Sequence, residues 1–150
     1  MTITASDIVR VARSFVGTPF HHLGRLKGHG VDCIGLVTCT ARELGLSDHD
    51  LDYYPEQPPG NIICLEFDKA YNRISADLIG PGDVGIFWVS KRDKPVHACL
   101  FTEMGMVHTH QEEGKVVEHV FSPFWQVRLY CAYRFRGADI ETKGVRGWQR

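Results

Sequence analysis

Concentrated positive charge is missing from this 150-residue chain: 17 Lys and Arg stand against 18 Asp and Glu, a formal balance of −1. The nearest approach to a basic run is Arg25-Leu26-Lys27, too thin to grip a phosphate backbone, so nucleic acid is not an expected partner. No stretch nears the roughly 18 uninterrupted apolar residues of a membrane span, and none is expected. The opening, Met1-Thr2-Ile3-Thr4-Ala5-Ser6-Asp7, lacks a basic segment followed by an apolar one, so no signal peptide is expected. The five cysteines, Cys33, Cys39, Cys64, Cys99 and Cys131, are odd in number and form no Cys-x-x-Cys pair. That argues against a disulfide framework and for synthesis in a reducing cytoplasm. Internal repeats and low-complexity tracts are missing too.

What remains is an ordinary globular composition, 43% hydrophobic and 23% charged. The length suits one domain, 1–150, burying roughly two-thirds of its unfolded surface. Histidine is the unusual component, at eight. Protonating them would turn the chain positive between neutral and mildly acidic pH.

Thr4-Ala5-Ser6-Asp7 reads as a helix cap, and Ile8, Val9, Ala12, Phe15 and Val16 recur at helical spacing over about 5–16. Residues 20–31, with Gly24, Gly28 and Gly30, read as an irregular loop. A second helix opens at Asp32-Cys33 and stops at Gly45; a long loop covers 46–61, and a third helix is expected over 62–74. After Gly80-Pro81-Gly82-Asp83 the pattern changes to strands, at 83–90, 95–102, 106–111, 116–121 and 128–135, with one helical turn at 122–126. The tail, 137–150, is polar and is expected to dock loosely. Helices followed by strands predict an α+β domain, N-terminal helices packed on a C-terminal antiparallel sheet.

The sharpest local feature is Gly30-Val31-Asp32-Cys33-Ile34-Gly35-Leu36-Val37. It puts a cysteine in the first turn of a helix, where unpaired N–H groups and the helix dipole favour the thiolate. Such a thiol is expected to react with iodoacetamide at about pH 6, and the same N–H groups suit an oxyanion. The plain alternative is a small buried hydrophobe. Along Pro95-Val96-His97-Ala98-Cys99-Leu100-Phe101, alternation separates His97, Cys99 and Phe101 from Val96, Ala98 and Leu100. In Met106-Val107-His108-Thr109-His110 the two histidines share a face, and a hairpin at 103–105 places His97 and His108 on one side of the sheet. Nucleophile, base and orienting partner are the parts of a thiol hydrolase. The rival for His97, Cys99, His108 and His110 is zinc, but the spacing fits no zinc pattern, and no metal or other cofactor is expected. Asp48, Asp50 and Asp52 lack the other ligands of a calcium loop and read as solvated.

Five pieces occur in a familiar order: Gly17-Thr18-Pro19-Phe20 with His22-Leu23-Gly24-Arg25; Val31-Asp32-Cys33-Ile34-Gly35-Leu36; Pro81-Gly82-Asp83-Val84; His97-Ala98; and Val107-His108-Thr109. Together they resemble the NlpC-family cell-wall cysteine peptidases, and most of all the branch found in phage tails and prophages. The resemblance implies a papain-like α+β fold and hydrolysis of peptide bonds in peptidoglycan stem peptides, usually between γ-D-glutamate and a diamino acid. It assigns Cys33 as nucleophile, His97 as general base and His108 as the third, orienting residue, with His110 the alternative for that place. Phe20, His22 and Asp32 are the candidates for contact with substrate; for Asp32 the competing role is the helix cap. Two departures stand out. Phe20 replaces a frequent Tyr, so the missing hydroxyl's role falls to another group, such as His22; and Ile34 replaces the Ser of many exported members. Those exported members carry a signal peptide and a wall-binding domain that are not seen here. The expectation is therefore synthesis in the cytoplasm and action at the wall after delivery in a phage tail or lysis, with tail proteins as further partners. A non-catalytic tail component, or an acyltransferase or amidase on the same fold, is the alternative.

Overall fold

The computed structural model describes residues 2–140. Strand β1 (Ile3–Thr4) leads directly into helix α1 (Ala5–Ser14). Thr4 and Asp7 form a reciprocal capping box: the Thr4 hydroxyl accepts the Asp7 N–H at 3.3 Å, and an Asp7 carboxylate oxygen accepts the Thr4 N–H at 2.9 Å. Ile8, Val9, Val11 and Ala12 bury the helix's inner face. The segment expected to be an irregular loop instead holds a small hairpin, β2 (Arg25–Leu26) against β3 (Gly30–Val31), with Phe20 bridging Val31.

Helix α2 (Cys33–Glu43) is buried along almost all its length, as a central helix must be. Asp32 caps it by accepting the Gly35 N–H at 2.7 Å. A side chain at Gly35 would run into the Gly24 carbonyl, so glycine lets the 20–31 segment lie directly on the helix's first turn. Helix α3 (Ile62–Ala70) ends four residues earlier than its pattern predicts. Tyr71–Ile74 forms strand β4, paired with Phe135–Ala132 of a strand far along the chain. Those ladder bonds satisfy backbone groups that a further helical turn would have used.

The strands β5 (Val84–Trp88), β6 (Pro95–Phe101), β7 (Met106–His110), β8 (Lys115–His119) and β9 (Leu129–Phe135) complete a six-stranded antiparallel sheet, ordered β4-β9-β5-β6-β7-β8. A short helix, α4 (Pro123–Gln126), interrupts the path from β8 to β9. The α+β expectation, with helices against an antiparallel sheet, describes this architecture. One sheet face, through Val84, Ile86, Ala98, Leu100, Val107 and Tyr133, joins the helices in the main core. On the other, Phe87, Cys99, Phe101, Met106 and Phe121 make a second cluster, with Trp125 of α4 packed against it. Gly85 is required there, because a Cβ would come within 2.7 Å of the Phe101 ring.

Asp83 of the Pro-Gly-Asp-Val turn is fully buried. It accepts both arms of the Arg134 guanidinium at 2.8 Å and the Gly80 N–H at 2.9 Å, which fixes the entry into β5. The expected loose tail begins as an ordered edge: β10 (Ala138–Asp139) pairs in parallel with β1, and Ile140 is buried in the main core. The rest of that tail, 141–150, lies outside the described residues.

Candidate active site

The ladder between β6 and β7 consists of two pairs, Leu100↔Val107 and Phe101↔Met106. Toward the start of β6, the N-terminus of α2 meets the strand. The half-buried Cys33 sulfur accepts the Ala98 N–H and lies 3.9 Å from the Val96 carbonyl oxygen. It therefore rests on the β6 backbone on both sides of His97. A cleft of about 330 Å³ opens there, lined by Cys33, His97, Phe20, His22, Tyr54 and Trp125 among others.

His97 Nε2 is 2.8 Å from His108 Nδ1, so Nε2 is engaged and Nδ1 is the ring nitrogen left for other chemistry. Trp125 stacks on the His97 ring with centroids 4.9 Å apart and planes 27° apart, holding the imidazole in place and covering it from solvent. His108 is fully buried, and its Nε2 is 3.1 Å from His119 Nδ1. His119 Nε2 in turn lies 3.6 Å from a Glu113 carboxylate oxygen. His110 lines the cleft but makes ring contact with His108, at 5.6 Å, rather than a hydrogen bond to His97. The geometry thus brings Cys33, His97 and His108 together and leaves His110 to one side.

Asp32 caps α2 and holds three further donors. One carboxylate oxygen accepts Gly35 N–H and Arg25 Nη1, and the other accepts Leu23 N–H at 2.8 Å and the Tyr54 hydroxyl at 2.6 Å. All four acceptor directions are filled, so the expectation that Asp32 binds a substrate amine gives way to an internal anchor. Its grip on Leu23 holds a non-glycine residue at φ 63°. Arg25 also forks onto Asp50 and reaches the Tyr54 hydroxyl at 2.7 Å. Asp50 is therefore part of the site's frame, not a solvated loop residue. Burial works against the Arg25 charge, but Asp50 and Tyr54 more than offset it, and its pKa rises. Burial and the Asp32 carboxylate together push the Tyr54 phenol up, so it stays a donor. Phe20 and His22 both face the cleft, with the His22 ring edge-on to Tyr54.

The helix N-terminus does not decide the charge of the resting thiol. Burial, with the Asp32 carboxylate next, pushes Cys33 up to about 12, against the Ala98 and Ile34 N–H groups. The expected alkylation at about pH 6 is corrected accordingly: the resting site holds a neutral thiol beside a neutral imidazole. Burial, aided by His110, pushes His97 down to about 4; burial with His97, His119 and His110 pushes His108 down to about 2.

This has a consequence for stability. In the unfolded chain both imidazoles protonate around 6.5. As pH falls from 6.5 toward 4, the unfolded state takes up two protons that the folded state refuses, so acid favours unfolding. Stability is complete above pH 6.5 and is expected to fall below it with a slope of between one and two protons, about 1.4–2.7 kcal/mol per pH unit. The carboxylates held low by arginine, Asp50 and Glu118, lose their contribution only at lower pH. Urea midpoints at pH 7, 6 and 5 check this; midpoints that stay level would contradict it.

Trp125, Tyr54, His119 and Glu113 are the residues that reading the sequence missed. Alternation alone could have found His119: β8 pairs Met106↔His119 and His108↔Val117, which puts His119 on the histidine face of the hairpin. Trp125 comes from a separate helical turn, and no periodicity links it to His97. Among the described residues, no group of three or more His, Cys, Asp or Glu is arranged to hold a metal ion.

In sequence, the chain is similar to the probable endopeptidase NlpC of Escherichia coli (strain K12), 26% identical over 123 residues that cover 81% of this chain and 72% of that protein. In structure it is similar to an NlpC/P60 family protein from Bacillus cereus ATCC 10987, with a TM-score of 0.67 and 18% identity over 90% of this chain; the match spans 41% of that longer protein. It is also similar to the NlpC/p60 domain of the peptidoglycan hydrolase SagA, with a TM-score of 0.61 and 20% identity over 87% of this chain and 98% of that domain. No family model matches the chain.

Proposed function

We propose that this chain, of the NlpC/P60 family by its fold and its likeness to the Escherichia coli protein, is a cysteine peptidase that hydrolyses peptidoglycan stem peptides. The observation that carries the reading is the convergence, in one cleft, of a helix-N-terminal sulfur with an imidazole whose second nitrogen is held by another imidazole at 2.8 Å.

The reaction begins from the neutral pair. As the Cys33 sulfur bonds to the substrate carbonyl carbon, its proton passes to His97 Nδ1. The developing oxyanion is held by the Cys33 backbone N–H, at the end of α2 where the peptide dipoles converge. The carbon–nitrogen bond then breaks and the leaving amine takes the proton from His97. Water, deprotonated by the same nitrogen, attacks the thioester, releases the acid and returns the proton to the sulfur. His108 orients His97 throughout. Phe20 and His22, on the cleft wall, contact the substrate, and His22 takes over the role of the missing tyrosine hydroxyl.

The bond between γ-D-glutamate and the diamino acid is the proposed target, on the strength of the motif resemblance. The same resemblance supports a phage-tail setting, with delivery to the wall by the particle. The test is digestion of purified muropeptides read by mass spectrometry. Water incorporation and a free diamino-acid amine are the expected products. Intact muropeptides, or products joined to a second peptide instead of to water, would overturn the peptidase reading.

A further inference from the structure

The hydrogen-bond path does not end at His108. His97, His108 and His119 are hydrogen-bonded in series, at 2.8 and 3.1 Å, and the Glu113 carboxylate lies 3.6 Å beyond His119 Nε2, within ion-pair range and outside hydrogen-bond range. Each link between two imidazoles has room for one proton, so the tautomer of one ring dictates that of the next. For His97 to act as a base its Nδ1 must be unprotonated. Its single proton is then on Nε2 and is donated to His108 Nδ1. His108, neutral and fully buried, must carry its own proton on Nε2 and donate it to His119 Nδ1. His119 carries its proton on Nε2, directed at the Glu113 carboxylate, which accepts only. Run in the opposite sense, the same chain would place a proton on His97 Nδ1, against the sulfur, and no base would remain. The two senses are distinguished at the outer end of the path, where a carboxylate faces one nitrogen of His119 and not the other.

We propose that His119, backed by Glu113, is a positioning residue for the reaction: it sets the tautomer of His108, and through it keeps His97 Nδ1 open to receive the Cys33 proton. The inference rests on the assignment of Cys33 and His97 as the reacting pair and goes beyond it by adding an outer pair on strand β8 and the turn before it. His119 is suited to such a role because it is not needed for packing. Its side chain is 34% exposed and Glu113 is 45% exposed, at the edge strand of the sheet. His110 is a further ring neighbour, at 5.1 Å.

The test uses His119→Leu, which keeps the bulk and removes both nitrogens, and His119→Asn, whose side-chain oxygen reproduces the acceptor at Nδ1. On muropeptides, His119→Leu is expected to lower kcat about tenfold with KM within a factor of two, and His119→Asn to recover most of the loss. The two variants should share one melting temperature. Imidazole ¹⁵N–¹H correlation spectra read the tautomers directly: the parent should show His97 and His108 protonated on Nε2, and His119→Leu a mixture of tautomers at His108. Unchanged kcat in His119→Leu, no recovery in His119→Asn, or unchanged His108 tautomers would each overturn the proposal. If the parent protein does not cleave muropeptides at all, the peptidase reading fails by itself, and the spectra still decide whether His119 controls the tautomers.

Discussion

Cys33→Ala is expected to stop muropeptide cleavage, with kcat falling by roughly 10⁴-fold or more, as when the nucleophile of a catalytic triad is removed. The reason is that no other group stands where the sulfur does. Cys39, Cys64 and Cys99 are buried elsewhere in the fold, and Cys131 is paired at 3.5 Å with Cys64, so none substitutes. The variant should fold normally. The side chain is small and half-buried, and its polar contacts are confined to weak ones between sulfur and backbone. Substrate should still bind, since Phe20, His22 and the cleft walls are untouched. Time courses by mass spectrometry, with a melting curve on the same sample, check both halves. Because the proposed mechanism makes Cys33 and His97 one unit, His97→Ala should cost a similar factor, and the double variant little more than either. A Cys33→Ala protein that cleaves at the parent rate would remove the basis of the mechanism.

The second large effect is on stability. Asp32→Ala would strand the Leu23 and Gly35 N–H groups, the Tyr54 hydroxyl and one arm of Arg25, at a position only 4% exposed. Losing one member of a buried, charge-assisted network of this kind costs about 3–5 kcal/mol. For a chain of this size that corresponds to a fall in melting temperature of roughly 10–15 °C. Asp32→Asn keeps an acceptor for the Gly35 cap and Arg25 but offers an amide N–H₂ where the Leu23 N–H and the Tyr54 hydroxyl both donate, so about half the loss is expected. Turnover should fall further than stability explains. Leu23 holds its left-handed conformation through Asp32, and its release would shift His22 on the cleft wall. Thermal and urea unfolding check the first part, and kcat/KM well below the melting temperature the second. A melting temperature within 2 °C of the parent would show that Arg25 and Tyr54 find other partners.

Several elements and most of the candidate site's placement were legible in the sequence because they depend on neighbours along the chain. The capping box and the spacing of Ile8, Val9 and Ala12 produced α1 where it was expected, and Asp32 before Cys33 marked the start of α2. Alternation along β6 and β7 placed His97 and His108 on one face, because side chains in a strand change sides at every residue whatever surrounds them. Position 33 at a helix N-terminus and two histidines on a common sheet face are thus properties of local geometry.

The rest depended on segments distant in sequence. Helix α3 yields at Tyr71 because β9 supplies backbone partners from residues 132–135, and no local propensity contains that information. Trp125 covers His97 only because α4 folds back over the sheet. Asp32 looked able to meet a substrate until Leu23, Arg25 and Tyr54 filled its acceptor sites. Charge was the last quantity to be settled. A helix N-terminus argues for a thiolate and is readable from the order of residues. Burial argues against one, is a sum over everything packed around the sulfur, and in the resting cleft it is the larger effect.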